Sequence, residues 1–253
     1  MQLTQAKRRR GDLLTAAAVA ALLAVMSVLL YTGSLTRQVT NMLIPTAVYI
    51  VMAVSLNLVV GLLGELSLGH AGFMSVGLFS GCLVSIALAN TALPLAVRLP
   101  VSMLAGGLTA AVFGLLVGLP TLRLRGDYLA IVTLACGEII KNIITNLRVT
   151  GGALGLNTTA IYAGAKELLP YGAALVLLTV AVMLNLKRSK YGRAIMAIRD
   201  NRIAAESVGL SVTRYKLAVF VIAAFFAGCA GVLYGHSLAN IKAAAFDYNM
   251  SIE

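Results

Sequence analysis

Glu138 and Lys141 stand three residues apart inside the apolar run 128–147, where a helix would put both on one face and let them pair. Glu65 and His70 sit five apart in Gly64-Glu65-Leu66-Ser67-Leu68-Gly69-His70-Ala71-Gly72 and share no helical face. His70 has no second ligand nearby, so neither metal binding nor acid–base catalysis is expected there. Cys82, Cys136 and Cys229 each lie in an apolar run without CxxC spacing, which fits small buried hydrophobes and no metal site. They leave the redox compartment open. No GxSxG, HExxH or GxxxxGK[ST] pattern occurs. The chain is therefore expected to be no enzyme and to bind no cofactor. Any ATP and Mg it depends on must be handled by another polypeptide.

The elements that carry these residues follow from composition. Of 253 residues, 60% are hydrophobic and 11% charged. Soluble domains carry about 25% charged residues, and a water-soluble fold of this composition would expose aggregating apolar patches. Lipid is the solvent that suits it, and there the backbone must satisfy itself in helices or a closed barrel. The apolar runs are continuous and about twenty residues long, the length of a crossing helix rather than of a barrel strand. Seven crossings are expected, at 13–30, 39–63, 71–89, 99–119, 128–147, 168–186 and 215–239. The first follows Lys7-Arg8-Arg9-Arg10 and is long for a signal-peptide core, so a retained helix is preferred to a cleaved leader. With the N-terminus inside, thirteen Lys and Arg fall in inner connections and five in outer ones, as positive-inside topology requires. The net charge of +11 then belongs to topology and to anionic lipid headgroups, not to nucleic acid. Glycine pairs at GxxxG spacing, Gly77 with Gly81, Gly114 with Gly118 and Gly231 with Gly235, favour close helix packing. Val117-Gly118-Leu119-Pro120 reads as a helix end, and Arg123 and Arg125 as anchors at an inner boundary.

Four segments invite a functional reading. The connection 187–214 is too polar to cross, yet reads as two short helices, the first from about Gly192 to Arg199. Asp200 or Asn201 would cap the second and Gly209 would end it as a left-handed residue. Ala194, Ile195, Ala197 and Ile198 give one small apolar face, and Ala204, Ala205 and Val208 another, suited to a partner's groove; a solvated basic connector is the alternative. The run 64–72 is either an ordinary tight turn or irregular backbone lining a path. Glu138, Lys141 and Asn142 mark either a translocation path or subunit interface, or a structural ion pair with Lys141 reaching outward. Thr150-Gly151-Gly152 falls in an outer loop.

Three ordered motifs give a resemblance. They are Leu56-Asn57-Leu58 to Gly61 with Gly64-Glu65-Leu66-Ser67-Leu68-Gly69-His70-Ala71-Gly72-Phe73; Leu124-Arg125-Gly126-Asp127-Tyr128-Leu129-Ala130-Ile131-Val132-Thr133-Leu134 through Gly137-Glu138-Ile139-Ile140-Lys141 to Thr150-Gly151-Gly152; and Tyr191-Gly192-Arg193-Ala194 through Ala204-Ala205-Glu206-Ser207-Val208-Gly209. From about residue 40 onward the chain resembles the branched-chain amino acid permease family of ABC importers, most closely its M-type subunit, and is also similar to urea permeases. The resemblance implies an all-α polytopic membrane bundle, one permease domain over 1–253, in a bacterial inner membrane. It implies a coupling loop in 187–214 (Tyr191, Gly192, Arg193, Ala194, Ala197, Ile198, Arg199, Asp200, Asn201, Ala204, Ala205, Gly209). Glu65, Ser67, Gly69, His70, Glu138, Lys141 and Asn142 would then belong to a path or interface, and Thr150, Gly151 and Gly152 to a docking surface for an external binding protein. The implied partners are a homologous second permease, two cytoplasmic ATP-binding subunits and that binding protein. Members of the family continue for several more helices, so a C-terminal truncation at Ser251-Ile252-Glu253 is expected. Besides urea or another small amide as cargo, an ATP-independent channel or secondary transporter is the alternative of a different class.

Overall fold

A computed structural model of the chain describes residues 2–91, 93–121, 124 and 126–246, with the backbone alone for 2–15 and 127. Arg123, Arg125 and 247–253 lie outside the described residues, as do the side chains of Lys7 to Arg10. Among the described residues nine α-helices follow in order: α1 Gln2–Tyr31, α2 Arg37–Asn57, α3 His70–Ala89, α4 Leu95–Thr121, α5 Asp127–Asn146, α6 Ala165–Arg188, α7 Lys190–Asp200, α8 Arg202–Ser207 and α9 Val212–His236. A π-helical turn, Leu58–Leu63, prolongs α2. The strands β1 Leu156–Asn157 and β2 Asn240–Ile241 form a short antiparallel ribbon.

Among the described residues six helices are long and apolar enough to cross a membrane: α2 with its π turn, α3, α4, α5, α6 and α9. The chain is a multi-pass membrane protein. The seventh expected crossing lies in α1, which runs Gln2–Tyr31 and is apolar over Ala16–Tyr31 among the residues whose side chains are described. Tyr31 Oη donates to the Lys166 carbonyl at 3.2 Å, which sets the end of α1 beside the start of α6. The helix end expected at Val117-Gly118-Leu119-Pro120 falls at Thr121, whose Oγ1 donates back to the Val117 carbonyl at 2.8 Å.

The core is the junction of α3, α4 and α9, where backbones touch. A Cβ added to Gly77 would lie 2.2 Å from Gly228 Cα, and one on Gly106 would lie 2.5 Å from the Gly77 carbonyl oxygen. In lipid, helices gain nothing by hiding from water, so close van der Waals approach through small residues takes that place. Gly77, Gly81, Gly231 and Gly235 all serve this junction, and Gly114 meets the Ala224 Cβ. The fuller signal is a run of small residues every fourth position on α4, Ser102, Gly106, Ala110, Gly114 and Gly118, all buried. The opposite face of α4 exposes Val97, Val101, Leu104, Leu108, Val112, Leu115 and Leu119 and is wholly apolar, as a lipid-facing surface must be.

The two sets of connections that the charge pattern separates occupy opposite ends. At one end the β1–β2 ribbon ties 147–164 to the end of α9, with Thr158 N donating to the Ala239 carbonyl and Ala163 N to the His236 carbonyl, each at 3.0 Å. At the other end lie residues 64–69, α7 and α8.

Candidate functional site

The α7–α8 hairpin is shaped by three local signals. Ser189 caps α7, its hydroxyl accepting from Gly192 N at 3.1 Å. Asn201 separates the helices by capping α8, its Oδ1 accepting from Ala204 N at 3.1 Å. Gly209, at φ +83°, closes α8 with paired bonds from Gly209 N to the Glu206 carbonyl and from Leu210 N to the Ala205 carbonyl, the Schellman arrangement that a glycine accepts without strain. Gly192 lies so close to the end of α6 that a Cβ would fall 2.1 Å from the Leu186 carbonyl oxygen.

One expectation needs correction here. Ile195 and Ile198 do not offer an apolar face to a partner; both are buried in their own chain, Ile198 in a small cluster with Ala205 and Val212. The hairpin is short and amphipathic, so its apolar side goes to the nearest hydrocarbon, the ends of α6 and α9. Tyr191 is exposed and leans on Tyr215, ring centroids 6.2 Å apart. What faces away from the bundle is Arg193, Ala197, Asp200 and Ala204, together with Ile203 at 81% and Val208 at 74% exposure.

Arg199 fastens this hairpin to the crossing helices. Its Nη1 donates to the Gly61 carbonyl at 2.9 Å, while Nε and Nη2 donate to Asp200 Oδ1 at 3.2 and 3.1 Å. The pairing with exposed Asp200 contributes little stability and chiefly orients the guanidinium. The bond to Gly61 is the informative one. Gly61 lies in the last turn of its helix, where carbonyls lack intrahelical partners and carry the negative end of the helix dipole, which favours a cation. The stem of Arg199 covers Gly64: a Cβ there would meet Arg199 Cγ at 2.5 Å, and the backbone at φ +78° is left-handed. Glycine is required at residue 64 on both counts.

The segment 64–69 is anchored from two further sides. Glu65 pairs through Oε1 with Lys216 on α9, and Lys216 is only 4% exposed. Leu68 N donates to Thr133 Oγ1 at 3.1 Å, and a Cβ on Gly69 would lie 2.3 Å from the Thr133 carbonyl oxygen, so α5 lies directly against the segment. Ser67 is buried, and among the described residues neither its hydroxyl nor Glu65 Oε2 has a hydrogen-bond partner. His70, the first residue of α3, is buried with Nε2 2.8 Å from Ser55 Oγ on α2, a hydrogen bond that joins two crossing helices. Among the described residues no cluster of three His, Cys, Asp or Glu side chains is placed to hold a metal.

Glu138 and Lys141 form their expected ion pair on α5, with side chains 37% and 20% exposed. Asn142 beside them is exposed. The pair lies near the middle of the span Tyr128–Asn146. A lone charge at that depth costs about 2.5–3.5 kcal/mol on insertion scales, which the pairing offsets in part. At the opposite end from the hairpin, Thr150 is buried and its hydroxyl donates to the Ile144 and Leu147 carbonyls at 2.6 and 2.9 Å, finishing α5. Gly151 is exposed beside it and Gly152 half-buried, both with positive φ, and Val149 and Leu154 project outward.

The fold thus gathers Arg199, Gly61, Gly64, Glu65, Ser67, Gly69 and His70 at one end. It leaves Glu138, Lys141 and Asn142 halfway along α5, and Thr150, Gly151 and Gly152 at the far end. Reading the sequence assigned no role to Ser189, Ile203 and Lys216, nor to Gly61 and Thr133, although these two stand in the motifs quoted above. For Lys216 a signal was present: a lysine within an apolar helix without a local acidic partner is as unusual as Glu138.

Residues 38–253 match the family model described as branched-chain amino acid transport system / permease component. The chain is similar to the high-affinity branched-chain amino acid transport system permease protein LivM of Salmonella typhimurium, 36% identical over 80% of this chain and 53% of that protein. It is 35% identical to the protein of the same name from Escherichia coli, over the same shares. It is also 30% identical, over 55% of the chain and 41% of the relative, to the autoinducer 2 import system permease protein LsrC of an Enterobacter species. The chain spans about half the length of the LivM relatives. No solved structure matches.

Proposed function

Because the chain belongs to the family of branched-chain amino acid transport system permease components, we propose that it serves as a membrane subunit of an ATP-driven importer for leucine, isoleucine and valine. The N-terminus and the α7–α8 hairpin face the cytosol, in the inner membrane of a bacterium. Two cytoplasmic ATP-binding subunits seat on the hairpin, a binding protein delivers cargo to the end bearing Gly151 and Gly152, and a homologous permease completes the bundle. ATP and Mg stay with the ATP-binding subunits.

The observation that carries this reading is the Arg199 bond to the Gly61 carbonyl. A connector would need no such attachment. Here a capped hairpin is fixed to the end of α2, and the segment 64–69 that follows α2 is tied through Glu65 to Lys216 on α9. Displacement of the hairpin from the cytosol is transmitted to α2 and α9, and through the packing of 64–69 on Thr133 to α5. Small shifts at such a packed junction become discrete rearrangements because tightly packed interiors do not deform continuously. The cargo assignment rests on the LivM relatives, which match more of the chain at higher identity than the autoinducer 2 relative.

Reconstitution with the co-encoded ATP-binding subunits, second permease and binding protein tests it. The expected outcome is leucine uptake into proteoliposomes that requires ATP and is indifferent to ionophores. Uptake of urea in place of leucine would overturn the cargo, and uptake driven by an ion gradient without ATP would overturn the mechanism.

A further inference from the structure

Arg98 stands one turn before Ser102, at the head of the packed stripe Ser102, Gly106, Ala110, Gly114 and Gly118 of α4. Its position follows from the helices beside it. A Cβ on Gly81 of α3 would touch the Val232 side chain of α9 and lie 2.8 Å from the Ser102 carbonyl oxygen. One turn nearer the ribbon end, the same three helices present Ser85, Arg98 and His236. Ser85 Oγ and His236 Nε2 are 2.8 Å apart, both residues fully buried, and the Arg98 charge acts on His236. His236 has nothing left to offer that charge. Its Nδ1 lies 2.8 Å from the Val232 carbonyl, and a carbonyl only accepts, so Nδ1 carries the proton. In the neutral ring Nε2 then accepts from Ser85 Oγ. Arg98 itself is half-buried, and its Nε is buried with no hydrogen-bond partner among the described residues. The carboxylates of Glu65, Glu138, Asp200 and Glu206 pair with Lys216, Lys141, Arg199 and Arg202. An arginine does not shed its proton, and a buried charged donor without an acceptor is costly. The position therefore holds a permanent positive charge over a dry, neutral Ser–His floor.

The geometry points to Arg98, seated beside Ser85 and His236, as a binding group for the carboxylate of a small molecule, the group that an α-amino acid presents. A guanidinium offers a planar fork that a carboxylate meets with two parallel hydrogen bonds. A lipid phosphate would reach it from the hydrocarbon side, but that side of α4 is formed by Val97, Val101 and Leu104, all exposed. Arg98 falls instead on the stripe that packs within the bundle. Ser85 and His236 bond to each other and so hold the floor of the site in one arrangement. The assignment deepens the importer reading above. It takes from that reading only that the ribbon end faces outside and that the cargo is an amino acid.

The test uses the assembled complex in detergent, without nucleotide or binding protein. Phenylglyoxal, which modifies arginine, is applied to the unaltered chain, and the adducts are located by peptide mass spectrometry. Leucine and isovalerate, which keeps the carboxylate but lacks the ammonium, are expected to slow modification of Arg98 severalfold. Leucinamide, which lacks the carboxylate, is expected to leave it unchanged, and exposed Arg148 is expected to respond to none of them. Arg98→Gln is expected to weaken binding of radiolabelled leucine by about tenfold or more, the effect of losing a charge-assisted hydrogen bond, and Arg98→Lys to fall between. Should Arg98→Gln fail to assemble, protection in the unaltered chain decides alone. Protection by leucinamide equal to that by leucine, or by neither, would overturn the assignment. So would equal protection by inorganic phosphate, the mark of an adventitious ion only, and so would an Arg98 that reacts only after phospholipid is extracted, the mark of a lipid headgroup. Protection by leucine in a complex whose uptake needs no ATP would instead count against the importer reading alone.

Discussion

Arg199→Glu is expected to abolish most ATP-driven uptake while leaving the chain folded and the ATP-binding subunits bound. The substitution removes a charge-assisted hydrogen bond to Gly61, of a class that contributes about 1.5–3 kcal/mol. It also places a carboxylate against a helix C-terminus and beside Asp200, which both repel it. With 1.36 kcal/mol per factor of ten in rate, a fall of at least about tenfold in uptake follows. On the importer reading proposed above, ATP is hydrolysed by other polypeptides, so hydrolysis is expected to persist and the ratio of leucine moved to ATP consumed is the quantity to measure. Arg199→Lys keeps the cation but not the planar fork that reaches Gly61 and Asp200 together, and is expected to fall between. An unchanged ratio in Arg199→Glu would remove Gly61 from the coupling route.

Lys216→Met is expected to be the most destabilising single change among the described side chains. It leaves Glu65 buried without its ion-pair partner, and Glu65 Oε2 is already unsatisfied among the described residues. Breaking a buried pair from one side costs about 3–5 kcal/mol, which at about 2–4 °C per kcal/mol is a fall in Tm on the order of 10 °C. Removing both charges is a different matter: Glu65→Gln with Lys216→Met is expected to restore much of the loss, since a buried neutral amide carries a far smaller desolvation cost than an unpaired charge. Thermal unfolding of the detergent-solubilised complex, followed by loss of monodispersity, reads all three proteins. Equal destabilisation of the single and double variants would show that the pair does not bear on this junction. If the double variant is stable yet transports poorly, the pair's contribution is to transmitting motion, in line with its place between 64–69 and α9.

Much of the fold is legible in the sequence because lipid imposes simple rules. Span lengths, their alternation and the basic connections follow from hydrocarbon thickness and charge, and each of the six crossing helices falls within a few residues of its expected run. The ends of the 187–214 helices are legible for a local reason: Asn201 and Gly209 have side-chain or backbone properties that suit one position. What the sequence conceals is long-range. Nothing near Arg199 indicates that its guanidinium meets residue 61, or that Lys216 meets Glu65, since these contacts join segments more than 130 residues apart. The inward turn of Ile195 and Ile198 is concealed likewise, because an apolar stripe on a short helix looks the same whether its own bundle or a partner covers it. Thr150 shows a further limit: a loop residue beside two glycines reads as surface, yet its hydroxyl is taken by the carbonyls that end α5.

The claim on which the rest depends is that the α7–α8 hairpin lies in the cytosol and bears an ATP-binding subunit. Ile203, exposed at the tip of the hairpin and turned away from the bundle, is the residue to probe. A photoreactive amino acid at residue 203, activated in intact cells, is expected to cross-link to an ATP-binding subunit, and Ile203→Cys is expected to resist membrane-impermeant maleimide added outside. Labelling of residue 203 from outside, or a hairpin that reaches no ATP-binding polypeptide, would contradict it.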